Sequence, residues 1–193
     1  MPRRPARRSR RQTLVVFTVG HSTRPIAEFI RLLKAHGVER VVDVRTIPRS
    51  RHNPQFNRAA LARALHNARL HYRHLPGLGG LRRPQPDSIN TAWRNASFRG
   101  FADYMQTTAF DEQLDRCLAL AVRERVALMC AEAVPWRCHR SLIADALVAR
   151  GIEVNEIGSV TRARPHRLTP WARVRGKRVS YPLVECERTR GRR

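Results

Sequence analysis

Polar and ionisable residues follow several short apolar runs of this sequence, where a strand would end in a loop. Histidine, aspartate and glutamate side chains can transfer protons at such positions, and a cysteine or a serine can act as a nucleophile. An arginine beside them can hold a phosphate or another anion. The residues that could perform this chemistry are, in chain order, Gly20, His21, Ser22, Asp43, Arg45, Cys130, Glu132, Cys138, His139 and Arg140.

Three of these residues are candidates for proton transfer. Gly20 permits the close approach of a ligand beside His21. Glu132 directly follows an apolar run, where partial desolvation would suit a general base. Asp43 is the third candidate. The structural alternatives are a capping role for His21 and an ion pair with neighbours for Asp43 and Arg45.

Phosphate binding is predicted for Arg45 and for a helix that starts at Cys138, His139 and Arg140. The backbone N–H groups and the dipole at a helix N-terminus favour an anion. Ser22 is expected to contact the substrate, and a role as nucleophile is the less favoured alternative. A phosphate-bearing substrate is the simplest expectation from these residues.

The two cysteines of this set allow two sharper hypotheses. Cys130, Cys138, His139 and His21 together offer four ligands that zinc accepts, but their spacing matches no short-range zinc signature, so no metal site is predicted and zinc remains the less favoured alternative. A cysteine at a strand end beside a helix start and arginines would have its thiolate favoured, which makes Cys130 a candidate catalytic residue. The segment from Cys130 to Arg137 is one residue longer than a cysteine-phosphatase loop and lacks its glycines. Structural thiols, or a pocket that Cys130 and Cys138 simply line, are therefore the favoured alternatives.

The elements that would position these residues follow from the hydrophobic pattern. A β-branched run at 14–19, helical spacing over 26–33 and a second apolar run at 38–44 form a strand–helix–strand unit, which predicts a parallel sheet. Ligands bind beyond the carboxyl ends of the strands in such a sheet. We therefore expect an α/β three-layer sandwich with a mostly parallel sheet of about five strands. The other predicted strands are 70–75, 126–130 and 152–157, and the other predicted helices are 57–67, 98–107, 110–123 and 141–150.

The positive charge is concentrated at the two ends of the chain. The formal net charge is +23, with six arginines and no acid in residues 1–12 and eleven basic against two acidic residues in 162–193. The pattern predicts a basic N-terminal arm at 1–12, an α/β domain at 13–160 and a basic C-terminal extension at 161–193, with a hairpin packed on the domain. Basic arms of this kind are typical of proteins that bind polyanions, although an overall preference for arginine would give the same count. The predicted nucleic-acid contacts are Arg10, Arg11, Trp171, Arg173, Arg175, Lys177 and Tyr181.

Several classes of protein are disfavoured by composition. A hydrophobic fraction of 42% argues against wholesale disorder. The longest apolar stretch, 14–20, is far shorter than a membrane span, and the twin-arginine-like segment at 9–15 lacks the longer apolar region of an export signal. Four cysteines are too few for a disulfide scaffold. We expect a soluble cytoplasmic protein with no membrane partner, whose oligomeric state the sequence leaves open.

The motifs that carry these residues resemble those of a bacterial family known as domain of unknown function 488. The resemblance implies an α/β domain with the same polar residues, and it adds Gly79 and Gly80 to the predicted substrate-binding set. It supplies no reaction, although members are sometimes labelled DNA-repair-like. Glu156 stands where the family often has a histidine in the last strand. The motifs in question are Val19-Gly20-His21-Ser22, Asp43-Val44-Arg45, Leu78-Gly79-Gly80, residues 98–105, and Cys130-Ala131-Glu132 followed by Cys138-His139-Arg140.

The leading hypothesis from the sequence is an enzyme that acts on a nucleotide or a nucleic acid. Hydrolysis of a glycosidic or a phosphoester bond is the expected reaction type, and no cofactor is predicted. The alternative is a non-catalytic nucleic-acid-binding module, in which the two basic arms bind and the polar residues at the strand ends only order the loops.

Overall fold

A mostly parallel sheet forms the centre of the protein in the computed structural model, which describes residues 13–183. Within those residues the main sheet has six strands: β1 (Val15–Gly20), β2 (Arg40–Asp43), β3 (His71–His74), β4 (Val126–Cys130), β5 (Glu153–Ser159) and β6 (Arg162–Pro165). They lie in the order β3-β2-β4-β1-β5-β6. The first five run parallel, and β6 pairs antiparallel with β5.

Helices cover both faces of the sheet, because the side chains of each strand alternate between two apolar cores. On β4, Leu128 belongs to one core and Met129 to the other. Helices α1 and α2 pack on the Met129 face, whereas α3, α4 and α5 pack on the Leu128 face. The predicted α/β three-layer sandwich is therefore confirmed. The helix bounds are α1 (Ile26–Ala35), α2 (Arg58–Asn67), α3 (Ala96–Tyr104), α4 (Thr108–Ala121) and α5 (Arg140–Val148).

Two helices begin two residues earlier than the apolar spacing predicts, because polar caps precede them. The Asn95 side chain accepts the backbone N–H groups of Ser97 and Phe98, which starts α3. The Thr107 hydroxyl accepts the N–H of Phe110 at the start of α4. No helix within residues 13–183 is long and apolar enough to cross a membrane.

The predicted basic hairpin is present after the main sheet. Strands β7 (Arg173–Arg175) and β8 (Arg178–Ser180) pair antiparallel around Gly176, whose φ of 60° suits the turn. Val179 and Tyr181 are buried in the core beside α5. Strand β6 was not anticipated from the sequence, because Arg162–Pro165 is short, has no β-branched or aromatic residue and ends in a proline.

The sheet has a switch point between β1 and β4. These two strands are neighbours, but α1, which follows β1, and α5, which follows β4, lie on opposite faces. The chain therefore leaves β1 towards one face of the sheet and leaves β4 towards the other. A crevice lies between the two connections, beyond the carboxyl ends of these strands. Ligands bind in such crevices of open α/β sheets.

Candidate functional site

A cavity of about 780 Å³ occupies the crevice at the carboxyl ends of β1 and β4. This volume falls in the range of ~300–1,000 Å³ that is usual for small-molecule sites. Elements far apart in the sequence supply its walls, namely the strand ends, the loop after β2, and the segments at 80–81, 95–98 and 130–139. The predicted site residues that line it are His21, Ser22, Arg45, Gly80, Cys130, Glu132, Cys138 and His139.

Arg45 is held rigidly at the edge of this cavity. Its Nε donates to Asp43 Oδ1 at 2.9 Å and its Nη2 to Asp43 Oδ2 at 2.6 Å. Nη2 also donates to the backbone oxygen of Phe56 at 2.8 Å, and Nη1 lies 3.2 Å from His21 Nε2. A guanidinium has five N–H donors, so one donor on Nη1 is left without a partner among the described residues. Because Arg45 lines the cavity, that donor is available to an anion.

His21 is a neutral ring that serves as an acceptor for Arg45. Its Nδ1 lies 2.8 Å from the backbone oxygen of Ser22, which can only accept, so Nδ1 carries the proton and Nε2 accepts from Arg45. Burial lowers the pKa of His21, and the charge of Arg45 lowers it further against the opposing effect of the Ser22 hydrogen bond. The ring stacks on Phe56 with a centroid distance of 4.1 Å. The lone pair of His21 is thus already engaged by Arg45, and the ring helps to hold the guanidinium in place.

Asp43 lies beneath Arg45 and outside the lining of the cavity. Its carboxylate is fully buried and also accepts the Tyr72 hydroxyl at 2.8 Å and the backbone N–H of Arg45 at 3.1 Å. Burial and the neighbouring Asp43 charge raise the pKa of Tyr72, so its hydroxyl stays a donor. The structure places Asp43 in an ion pair with Arg45, in which its two carboxylate oxygens hold the guanidinium plane.

Cys130, Cys138 and His139 form a compact cluster on the other side of the crevice. Cys130 Sγ, Cys138 Sγ and one nitrogen of His139 lie within 4.8 Å of one another. His139 Nε2 lies 3.1 Å from the Leu78 oxygen and 3.3 Å from the Val44 oxygen. Both oxygens can only accept, so Nε2 carries a proton and Nδ1, 3.8 Å from Cys138 Sγ, faces the thiols.

Arg140, predicted to bind phosphate, is buried below the crevice and does not line it. Only 1% of it is exposed, and its Nη1 donates to the backbone oxygens of Val19 at 3.0 Å and Glu132 at 3.2 Å. Its Nε has no partner, and no carboxylate lies within ion-pair distance, among the described residues. Its charge helps to lower the pKa of the Cys130 thiol, and it also acts to lower that of Cys138 against larger opposing effects.

The two thiols of the cluster have opposite properties. A hydrogen bond from Cys138 lowers the pKa of Cys130 well below its usual value, and His139 and Arg140 lower it further against the effect of burial. The same hydrogen bond, together with burial, raises the pKa of Cys138. The surroundings therefore favour the thiolate on Cys130, with Cys138 as its hydrogen-bond donor.

The donor atoms of this cluster are of the type that zinc accepts, but the surroundings do not suit a cation. His21, the fourth ligand considered from the sequence, has both ring nitrogens engaged by Ser22 and Arg45. Two thiolates and one neutral imidazole would only neutralise Zn²⁺, which would leave the buried charge of Arg140 uncompensated. The cluster fits a thiolate paired with Arg140 better than a metal centre.

The predicted glycines allow close packing of backbone and ring at the crevice. A Cβ on Gly20 would collide with the backbone carbonyl of Glu132, so the residue permits the loop after β4 to cross the end of β1. A Cβ on Gly80 would press on the ring of His139, and one on Gly79 would collide with Thr46. The structure therefore gives these glycines a role in protein packing, and Gly80 also lines the cavity.

The charge of the cavity lining is mostly positive. Two arginines that the sequence analysis missed, Arg49 and Arg137, line it together with Arg45. Among the described residues of the lining, Glu132 is the sole acid. Its side chain is exposed and makes no hydrogen bond or ion pair within residues 13–183. The loops that follow β2 and β4 carry the two missed arginines, and their position after strand ends was the available signal.

The predicted nucleic-acid contacts differ in how far their side chains are exposed to solvent. Arg10 and Arg11 lie outside the described residues. Trp171 is 42% exposed and packs its edge against Trp93, and Tyr181 is fully buried, so the Tyr181 ring cannot stack on a base. The exposed members of the predicted set on the hairpin are Arg173, Arg175 and Lys177.

The fold and the crevice define an α/β three-layer protein with a mostly basic cavity at the switch point of its sheet. The family model described as "Domain of unknown function DUF488" matches residues 25–147. This match covers well over half of the chain, so the chain belongs to that family, as the motifs predicted. No curated protein and no solved structure matches the chain.

Proposed function

We propose that the protein is an enzyme that binds a nucleotide, or a nucleotide unit of a nucleic acid, in the crevice and hydrolyses a phosphoester bond of it. The supporting observation is the lining of the cavity, where three arginines surround one carboxylate and Arg45 keeps one N–H donor free within the described structure. Such a preorganised guanidinium suits a phosphate, because its orientation is fixed before the substrate arrives.

Apolar and amide side chains in the same cavity suit the rest of a nucleotide. Phe98 and Leu81 line it, and aromatic or apolar surfaces of this kind stack on a base. The amide side chains of Asn53 and Asn95 also line the cavity, and amides can pair with base edges. The Asn95 oxygen caps α3, which leaves its amide nitrogen as the available group.

Glu132 is the general base of the proposed reaction. Its exposed carboxylate accepts a proton from a water molecule, the water oxygen attacks phosphorus, and the ester P–O bond breaks while solvent protonates the leaving oxygen. Arg45 stabilises the negative charge on the phosphoryl oxygens, and His21 and Asp43 act through Arg45 as positioning residues. Ser22 lies on the lining and contacts the substrate in this scheme.

Turnover of a panel of nucleotides and short oligonucleotides by the full chain tests this function. Glu132→Gln should lower kcat by about 10²–10⁴ with little change in KM, because it removes a base and preserves shape. Glu112→Gln is the matched control, since Glu112 is an exposed carboxylate on α4, outside the crevice lining. Absence of turnover for the whole panel, or equal rates in the two variants, would contradict the proposal.

A second candidate function, nucleic-acid binding without catalysis, is favoured by the exposed basic hairpin β7-β8. Replacing Arg173, Arg175 and Lys177 by Ala should then weaken DNA or RNA binding, and the lost contacts should reduce its salt dependence. If about 6–10 phosphates are engaged, affinity should fall by roughly 10³–10⁵ between 50 and 200 mM salt. Turnover of small nucleotides that survives this triple substitution would favour the enzyme over the binding module.

A further inference from the structure

We infer that Cys130 and Cys138 form a redox-active dithiol at the crevice, with His139 as its base, and that a peroxide converts the pair to a disulfide. This inference concerns a second chemistry of the protein and does not depend on the proposed hydrolysis. It combines three observations: the grouping of the sulfur and nitrogen atoms, the isolated charge of Arg140, and the access from the cavity to Cys130.

The cluster brings together the nucleophile Cys130, the second thiol Cys138 and the base His139. Both sulfur atoms and one ring nitrogen of His139 lie within 4.8 Å of one another. The carbonyls of Val44 and Leu78 fix the ring of His139 through Nε2, so that its other nitrogen faces the sulfurs. A base that a third group orients towards a thiol is the arrangement of activated cysteine nucleophiles.

The buried guanidinium of Arg140 requires an anion. Removing an arginine charge from water without a partner costs several kcal/mol, and no carboxylate approaches Arg140 within residues 13–183. A thiolate at Cys130 supplies the missing negative charge. The backbone N–H of Arg140 also donates to Cys138 Sγ at 3.4 Å, which stabilises negative charge on that sulfur as it attacks.

Access distinguishes this pair from the other described thiol. Cys130 is 7% exposed and lines the cavity together with Cys138. Cys117 in α4 is fully buried among apolar side chains, and burial raises its pKa to about 12. Cys117 is therefore an unreactive internal reference in the same chain.

The chemistry balances in two steps with a peroxide as the oxidant. The Cys130 thiolate attacks one peroxide oxygen, the O–O bond breaks, and a sulfenic acid and hydroxide form as sulfur is oxidised and oxygen reduced. Cys138 then passes its proton to His139 and attacks the Cys130 sulfur. The S–S bond forms, the S–O bond breaks, and the departing hydroxide takes the proton and leaves as water. An external dithiol restores both thiols by exchange.

Trypsin separates the two cysteines, which makes the disulfide directly measurable. Cleavage after Arg125, Arg137 and Arg140 gives peptides 126–137 and 138–140, each with one cysteine. The full chain, in a Cys186→Ser background, is treated with hydrogen peroxide, blocked with N-ethylmaleimide and digested. We expect the two peptides to appear joined, with a mass two hydrogen atoms below their sum, and to separate after dithiothreitol.

Two cysteine variants and the rate of alkylation by iodoacetamide test the inference. Cys138→Ala should stop the reaction at a Cys130 sulfenic acid that dimedone traps, whereas the control Cys117→Ala should form the disulfide as the parent chain does. At pH 6.5, iodoacetamide should label Cys130 at least about tenfold faster than Cys117. The inference is overturned if peroxide yields neither the joined peptides nor the trapped sulfenic acid. It is equally overturned if the purified chain holds one equivalent of zinc that Cys130→Ser loses.

Discussion

His166 should make the stability of the protein depend on pH above neutrality. Its Nε2 bonds to Asp145 Oδ1 at 2.8 Å and its Nδ1 to Glu156 Oε1 at 2.8 Å. Burial opposes the charged ring, but the hydrogen bonds and charges of the two carboxylates outweigh it and raise the pKa of His166 from 6.5 to about 9. Because the pKa is higher in the folded state, the stabilisation is fully present below pH 6.5 and is lost as the pH rises through 9.

The magnitude follows from the size of this shift. One pKa unit corresponds to about 1.4 kcal/mol, so the shift to about 9 corresponds to about 3 kcal/mol of unfolding free energy. Urea denaturation of the wild type and of His166→Gln, followed by tryptophan fluorescence from pH 6 to 10, measures it. Glutamine keeps an N–H donor and removes the charge, and groups that titrate alike in both chains cancel in the difference.

The difference in unfolding free energy between wild type and His166→Gln should shrink by about 3 kcal/mol between pH 6 and pH 10. A difference that stays constant over this range would show that folding does not shift the pKa of His166, and it would refute the reasoning. A difference that grows with pH would give the linkage the opposite sign and would refute it as well.

The remaining predictions concern packing around the crevice and the tail. Gly20→Ala should destabilise the protein by about 1–3 kcal/mol in urea denaturation, because its Cβ would collide with the Glu132 carbonyl. Gly158→Ala, where the nearest atom to a new Cβ is 3.7 Å away, is its control, and an equal effect of both would contradict this account. Tyr181→Phe should cost about 1–3 kcal/mol, since it removes the buried hydroxyl that donates to Asp145 at 2.8 Å. A cost below about 0.5 kcal/mol, as is usual for surface changes, would show that this bond contributes little.

The fold was largely predictable because it rests on local patterns. The apolar runs at β1, β2 and β4 and the helical spacing between them are sequence features, and the parallel arrangement follows from their order. The convergence of His21, Arg45 and Cys130 at one crevice follows in turn, since the carboxyl ends of parallel strands share one edge. Strand β6 had no such signal, because its four residues are two arginines, an alanine and a proline, none of them β-branched or aromatic.

The individual roles at the site were less predictable, because they depend on side-chain direction and on distant partners. Asp43 is the last residue of β2 and Arg45 lies just after it, and only the structure shows that both carboxylate oxygens of Asp43 bind the guanidinium of Arg45. Arg140 is charged, and arginines are almost never fully buried unless paired, so its inward position had no signal in the sequence. The sequence predicts Tyr181 at the surface, since nothing local indicates that its hydroxyl binds Asp145, which is 36 residues away in the chain.

The family match ends at residue 147, yet the carboxylate of Asp145 depends on the chain beyond it. Every hydrogen bond of that carboxylate within the described residues comes from the tail: the ring of His166, the backbone N–H of Thr169 and the hydroxyl of Tyr181. A chain that ends at residue 147 would leave the buried carboxylate of Asp145 without any of these three hydrogen-bond donors. Helix α5, which begins at Arg140 directly after Cys138 and His139, would then be held by its apolar contacts alone, so we expect an intact crevice to need the chain at least as far as Tyr181.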